Sequence, residues 1–163
     1  MESATELEPT AELLHREAIR QRLVDACWQL DARRFDDWLE GFTADARYEI
    51  VAHSPEIDRE MRWMSASRAQ LAQTFKELRN HVTEDARRAH VAMPIHVEVD
   101  GEQARALTRF SVFKTDQQGI TSVYAVGHYE DRLRREEAAW RFEHRRVVLD
   151  TRMFDVFPHL VPL

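Results

Sequence analysis

Two histidines and a carboxylate are enough to hold a redox metal with open coordination positions. His81, Glu84, Asp85 and His90 gather those side chains into one short stretch of a chain with 8 histidines. Their spacing argues against that use. His81 and His90 stand nine positions apart, which in a helix turns them to opposite sides and gives them no shared face. No HExxH or comparable ligand spacing occurs, so these histidines read as structural or solvated. Sulfur offers less. Cys27 is the single cysteine, which excludes an intrachain disulfide, a CxxC redox pair and an all-cysteine metal site. A cluster needing two cysteines beside two histidines cannot be built by this chain alone. Cys27 sits in Asp25-Ala26-Cys27-Trp28 with helical periodicity around it, so a buried thiol is expected rather than a nucleophile. The remaining concentration of charge is the stretch from Ile120 to Asp150. Two β-rich runs flank the polar connector Arg134-Arg135-Glu136-Glu137, and the second ends in Arg145-Arg146-Val147-Val148-Leu149-Asp150. This predicts a long antiparallel hairpin. Arg145 and Arg146 alternate across it, one toward a helical side or rim and the other toward the exposed side. Asp150 is placed to pair with Arg109 or Arg145 across strands.

The elements that must position these groups follow from periodicity. At 163 residues, 44% apolar and 32% charged, the chain is expected to form one soluble domain with a sizeable core. Its net charge of −6 argues against non-specific nucleic-acid binding. No apolar run approaches the length of a membrane span, and the acidic start lacks the form of a signal peptide, so a cytoplasmic protein is expected. Residues 1–9 read as a flexible arm and 10–163 as a single α+β domain. Thr10 is placed to cap a long helix with Ile19, Leu23, Cys27 and Leu30 on one stripe. Phe35, Trp38, Leu39 and Phe42 predict a second short helix that Gly41 helps to end. A first strand is expected at Tyr48-Glu49-Ile50-Val51, a loop or irregular strand over 56–65, and a third helix opened by Ser67 and carrying Leu71, Phe75 and Leu78. From His90 onward the period becomes two. Met93, Ile95, Val97 and Val99 alternate with polar neighbours, Asp100-Gly101 marks a turn, and Phe110 and Val112 oppose Leu107, Arg109 and Phe113. Helices first and antiparallel strands after is the α+β order.

Several motifs in this order resemble a known family. Asp36-Asp37-Trp38-Leu39 followed by Phe42-Thr43-Ala44-Asp45-Ala46-Arg47-Tyr48 is similar to the start of the small (beta) subunit of aromatic-ring-hydroxylating, Rieske-type dioxygenases. Gly127-His128-Tyr129-Glu130-Asp131-Arg132-Leu133, Trp140-Arg141-Phe142 and Arg145 to Asp150 resemble that family's closing strands. The match runs from about Leu13 to Asp150, and its length and Pro162-Leu163 ending resemble the branch acting on aromatic acids.

The resemblance implies a cone-like fold of the nuclear-transport-factor type, with N-terminal helices packed on a strongly curved, mostly antiparallel sheet. It implies a structural subunit of an oxidoreductase, without a catalytic, cofactor-binding or metal site of its own. Its partner would be a large (alpha) subunit carrying the Rieske iron-sulfur cluster and the mononuclear iron, with three large and three small subunits in a hexamer built on a trimer. Electrons would come from NAD(P)H through a reductase. Candidates for the subunit interface are Tyr129, Trp140, Arg145 and Arg146 on the sheet, with Phe154 and Phe157 in the apolar segment from Phe154 to Leu163. That segment is expected to dock within the chain or against another subunit. The alternative implied by the same fold is a stand-alone dehydratase or isomerase with a pocket inside the cone. Asp25 or Tyr48 would then stand near the mouth and His128 or Asp131 on the sheet. Against it, Tyr48 and Tyr129 would fill the core with bonded hydroxyls while His128 meets a partner.

Overall fold

A computed structural model describes residues 9–80, 86–154 and 162–163. The expected N-terminal arm, His81, Glu84, Asp85 and Phe157 lie outside the described residues, apart from Pro9. The chain begins with α1 (Pro9–Asp31) and α2 (Phe35–Glu40), followed by β1 (Phe42–Ser54), β2 (Arg59–Ser67) and α3 (Arg68–Asn80). Four long strands come after them: β3 (Arg87–Asp100), β4 (Gln103–Thr115), β5 (Thr121–Glu136) and β6 (Ala139–Leu149). They form one six-stranded sheet in the order β2-β1-β6-β5-β4-β3. All neighbours are antiparallel except β1 and β6, which run parallel, so the sheet is mixed.

The three helices cover one face of this sheet. On α1, Ile19, Leu23, Ala26, Cys27 and Leu30 are buried at the predicted spacing. Phe35, Trp38 and Leu39 on α2 complete the layer. Trp38 is fully enclosed and meets Phe42 at 4.4 Å, Tyr48 at 5.7 Å and Phe75 at 5.8 Å between ring centres. The Ser67 hydroxyl accepts from the Gln70 backbone N–H, while the Ser67 N–H donates to the Gln70 side chain, a reciprocal cap that starts α3 where expected. Gly41 follows α2 with ordinary right-handed geometry. Its missing side chain instead leaves room for Arg22, whose guanidinium would come within 2.8 Å of an added Cβ.

Several expectations need correction: Thr10 lies inside α1 rather than at its cap, and Phe42 opens β1 rather than completing α2. Residues Arg59–Ser67 form the edge strand β2, paired antiparallel to β1 with an irregularity at Trp63, so of the two expected forms the irregular strand holds and the loop does not. Its side chains are mostly exposed, so no strong alternation of polar and apolar residues announced it. Met93, Ile95, Val97 and Val99 do not share a face. The register slips between Pro94 and His96, so Val91, Met93 and Ile95 point outward at 59%, 61% and 51% exposure while Val97 is buried. One extra residue in a strand reverses the facing of everything beyond it. On β4 the expected division holds: Phe110 and Val112 are buried, and Leu107 and Arg109 face outward.

Candidate functional site

The inner face of the sheet holds a closed polar cluster. Alternation along β5 turns Tyr129, Asp131 and Leu133 inward, and register sets Asp131 opposite Arg145 of β6. The Arg145 guanidinium donates to both Asp131 carboxylate oxygens at 2.9 Å, and neither side chain is exposed. The rings of Phe142 and Tyr129 lie 4.1 Å and 4.3 Å from it, and Phe110 stacks on Tyr129 at 4.3 Å. Gly127 permits this packing, because a Cβ there would fall 2.3 Å from the Val148 carbonyl oxygen and 3.0 Å from the Phe110 ring. Burial raises the pKa of Asp131 against the opposing pull of Arg145. Burial also opposes the charge on Arg145, but Asp131 more than offsets it and Arg145 remains a cation.

The other interior groups are held neutral. The Tyr48 hydroxyl donates to the Leu163 carbonyl oxygen at 2.8 Å and accepts from the Leu163 N–H at 2.9 Å. Burial pushes the hydroxyls of Tyr48 and Tyr129 well above the usual phenol range. It pushes the Cys27 thiol up to about 11, although Arg145 and the neighbouring Tyr129 hydroxyl draw it down. The Tyr129 hydroxyl makes no full hydrogen bond. Cys27 is therefore expected to resist alkylation by iodoacetamide at pH 8 until denaturant is added, as mass spectrometry would show. Rapid labelling of the folded chain would restore it as a nucleophile.

Of the groups suggested for acid-base chemistry, only Tyr48 and Asp131 share the interior, and each already has its partner. His128 is three residues from Asp131, an odd step, and so faces outward, where its Nε2 lies 3.4 Å from Glu130. Asp25 remains on the side of α1 and accepts from the Gln21 amide at 2.7 Å. His90 likewise serves architecture, with Nδ1 2.5 Å from Asp31 at the end of α1. No group of three or more histidine, cysteine, aspartate or glutamate side chains among the described residues could hold a metal ion.

The outer face is charged and apolar by turns. Arg146 bridges Glu130 of β5, at 2.5 Å, and Glu60 of β2. His144 lies 2.9 Å from Glu49, and Arg109 pairs with Asp150 at 3.2 Å as expected. Beside them Val91, Met93, Ile95, Leu107 and Val123 are open. A second exposed apolar set, Leu13, Leu14, Val24 and Trp28, lies on α1 away from the core.

Residues 11–146 match the family model of the SnoaL-like domain. The chain is 32% identical over 132 residues to the 2-aminobenzenesulfonate 2,3-dioxygenase subunit beta of an Alcaligenes species, covering 80% of this chain and 88% of that one. The chain belongs to the family of ring-hydroxylating dioxygenase beta subunits. The beta subunit of the methanesulfonate monooxygenase hydroxylase of Methylosulfonomonas methylovora is 28% identical over 153 residues, covering 88% of this chain and 84% of that protein. In fold the chain is similar to a Novosphingobium aromaticivorans protein assigned as the beta subunit of an aromatic-ring-hydroxylating dioxygenase. Their TM-score is 0.79 with 24% identity, over 91% of this chain and 96% of that one. As a dioxygenase beta subunit, the chain is a non-catalytic part of a multicomponent oxidoreductase.

In this beta subunit the candidate interface residues divide by facing. Arg146 is on the outer face as expected. Tyr129, Trp140 and Arg145 are not: they are 1%, 5% and 0% exposed. Trp140 points under α1, where its indole N–H donates to His15 Nδ1 at 3.4 Å. The general enrichment of aromatic and arginine side chains at interfaces pointed outward, whereas strand alternation turned these three inward. Phe154 rests within the chain, 5.2 Å from the Tyr124 ring and 5.5 Å from Trp63. Sequence reasoning missed the outer apolar set of the beta subunit. Alternation from Met93 to Val99 was its signal, but the pattern alone did not say which face was open.

Proposed function

We propose that this chain is the structural small subunit of a Rieske non-heme iron oxygenase and that the outer face of its sheet docks on the large subunit and helps to hold a trimer-based assembly. The observation that carries the reading is the contrast between the two faces. Among the described residues the interior pairs the buried Asp131 carboxylate with the buried Arg145, whereas Val91, Met93, Ile95, Leu107 and Val123 stand open beside charged groups, the composition of a surface awaiting a partner. The Rieske cluster, the mononuclear iron and the ring chemistry would reside in the large subunit, with electrons from NAD(P)H through a reductase. This chain would set the geometry between neighbouring large subunits. We assign the reaction to oxygenation of an aromatic acid in the cytoplasm, in keeping with the anionic aromatic substrate named for one relative.

Co-expression with the large subunit and light scattering after gel filtration test this directly. A stable hetero-oligomer is expected, and Met93→Asp or Ile95→Asp should dissociate it while leaving the melting temperature of the isolated chain nearly unchanged. The rival reading is a dehydratase or isomerase using Tyr48 and Asp131 inside the cone. Turnover by the isolated chain that disappears in Tyr48→Phe would establish the rival, and a chain that ignores the large subunit would remove the first reading.

A further inference from the structure

Register builds a row of basic side chains across the outer face. Arg105 of β4 is directly opposite Arg132 of β5, Arg132 is opposite His144 of β6, and His144 is opposite Arg47 of β1. Adjacent strands lie about 4.8 Å apart, and like charges placed directly opposite one another across strands destabilise a sheet. Neutralisation within the chain is incomplete. Glu130 and Glu49, in the next row, are engaged by Arg146 and His128 and by His144 and Arg62, respectively. Burial would raise the Glu49 carboxyl, yet His144, Arg62 and Arg47 hold it below the usual carboxylate range. Glu98, facing Arg105 at the end of the row, is bonded to His96 at 2.9 Å. Arg132, in the middle, has no ion pair with any described residue within 4.0 Å. A groove of about 340 Å³ opens over the middle of the row, lined by Arg105, Leu107, Arg132, His144 and Arg146, with Glu130, already bridged by Arg146, at its wall.

A row that sets Arg105 and Arg132 directly opposite each other, in a chain of net charge −6, is suited to an anionic occupant. We propose that Arg105, Arg132, His144 and Arg47 form the seat of an acidic segment of the large subunit, whose carboxylates lie across the strands with Leu107 as an apolar contact at one end. The inference rests on the docking reading above and names the chemistry of that partner. Guanidinium groups suit the task, because their fork donates two parallel hydrogen bonds to a carboxylate. A second copy of this chain is a poorer occupant, since two molecules of charge −6 repel each other on approach.

The test is binding of the purified large subunit to the immobilised full chain between about 50 and 500 mM NaCl. The dissociation constant should rise with salt, and Arg132→Glu should raise it about tenfold or more at low salt. Lys76→Glu, an equal charge change on an exposed site of α3, should leave it unaltered. The isolated Arg105→Gln and Arg132→Gln chains should melt no lower than the parent, because each removes a repulsion. A complex that forms normally with Arg132→Glu at every salt concentration would overturn the inference and leave the docking reading standing. Absence of any complex with the parent chain would remove both. If Arg132→Glu instead abolishes only self-association of this chain, the occupant is a second copy and the assignment to the large subunit fails.

Discussion

Replacing Arg145 with methionine should lower the unfolding free energy by about 3–5 kcal/mol, seen as a lower urea midpoint with an unchanged slope. The cause is the group left behind. Asp131 is fully buried and both its carboxylate oxygens are bonded to Arg145. Removing the guanidinium strands a carboxylate among Phe142, Tyr129 and the α1 side chains, where it must stay charged without a partner or take up a proton. Replacing both members, as in Arg145→Met with Asp131→Leu, should recover most of the loss, since a buried pair contributes little net stability over apolar residues of similar volume. The adjacent residue gives the control. Arg146→Ala removes a bridge that is 26% exposed on the arginine side, and a cost of about 0.2–1 kcal/mol is expected. If Arg145→Met proves as mild as Arg146→Ala, the pair is not the closed interior contact described above.

Trp38→Ala is expected to be as severe, at about 3–5 kcal/mol, with a fall in melting temperature of roughly 10 °C for a chain of this size. Trp38 is the largest fully buried side chain and touches Phe42 and Tyr48 of β1 and Phe75 of α3. Its removal opens a void at the junction of α2, α3 and the sheet. The same junction fixes Tyr48, so the Tyr48–Leu163 contact should loosen with it. Amide exchange at Leu163, whose N–H is bonded to Tyr48, would report this in advance of global unfolding. A melting temperature within about 2 °C of the parent would contradict this account of the core.

Much of the architecture was legible because it depends on period. The stripe Ile19, Leu23, Cys27 and Leu30 marked the buried side of α1. Simple alternation put Arg145 and Arg146 on opposite faces. The same alternation turns Tyr129 inward with Asp131, against the general enrichment of tyrosine at interfaces. Other features had no local signal. The slip at Ile95 leaves no distinctive residue beyond Pro94, which cannot donate a backbone bond. The edge strand β2 is exposed enough that its polar residues read as loop. The clamp between Tyr48 and Leu163 joins positions separated by 115 in sequence, beyond the reach of any periodic pattern. The basic row depends on the registers of three strand pairs, so it could be read only once the sheet was assembled. The family assignment came by another route, from ordered motifs that say nothing about facing.

The parallel pairing of β1 with β6 also governs when the molecule can fold. β1 ends at Ser54 and its neighbour β6 ends at Leu149, so the ribosome must deliver most of the chain before the two halves of the sheet can meet. At about 5–20 residues per second that interval is roughly 5–20 s. During it the β1–β2 hairpin exposes an unpaired edge beside Ile50 and Val51, a template for association with other nascent chains. Because its closing contacts are so distant in sequence, the sheet is expected to fold slowly. Yield in a cell should therefore depend on how well that edge is shielded during synthesis as much as on the stability of the finished fold.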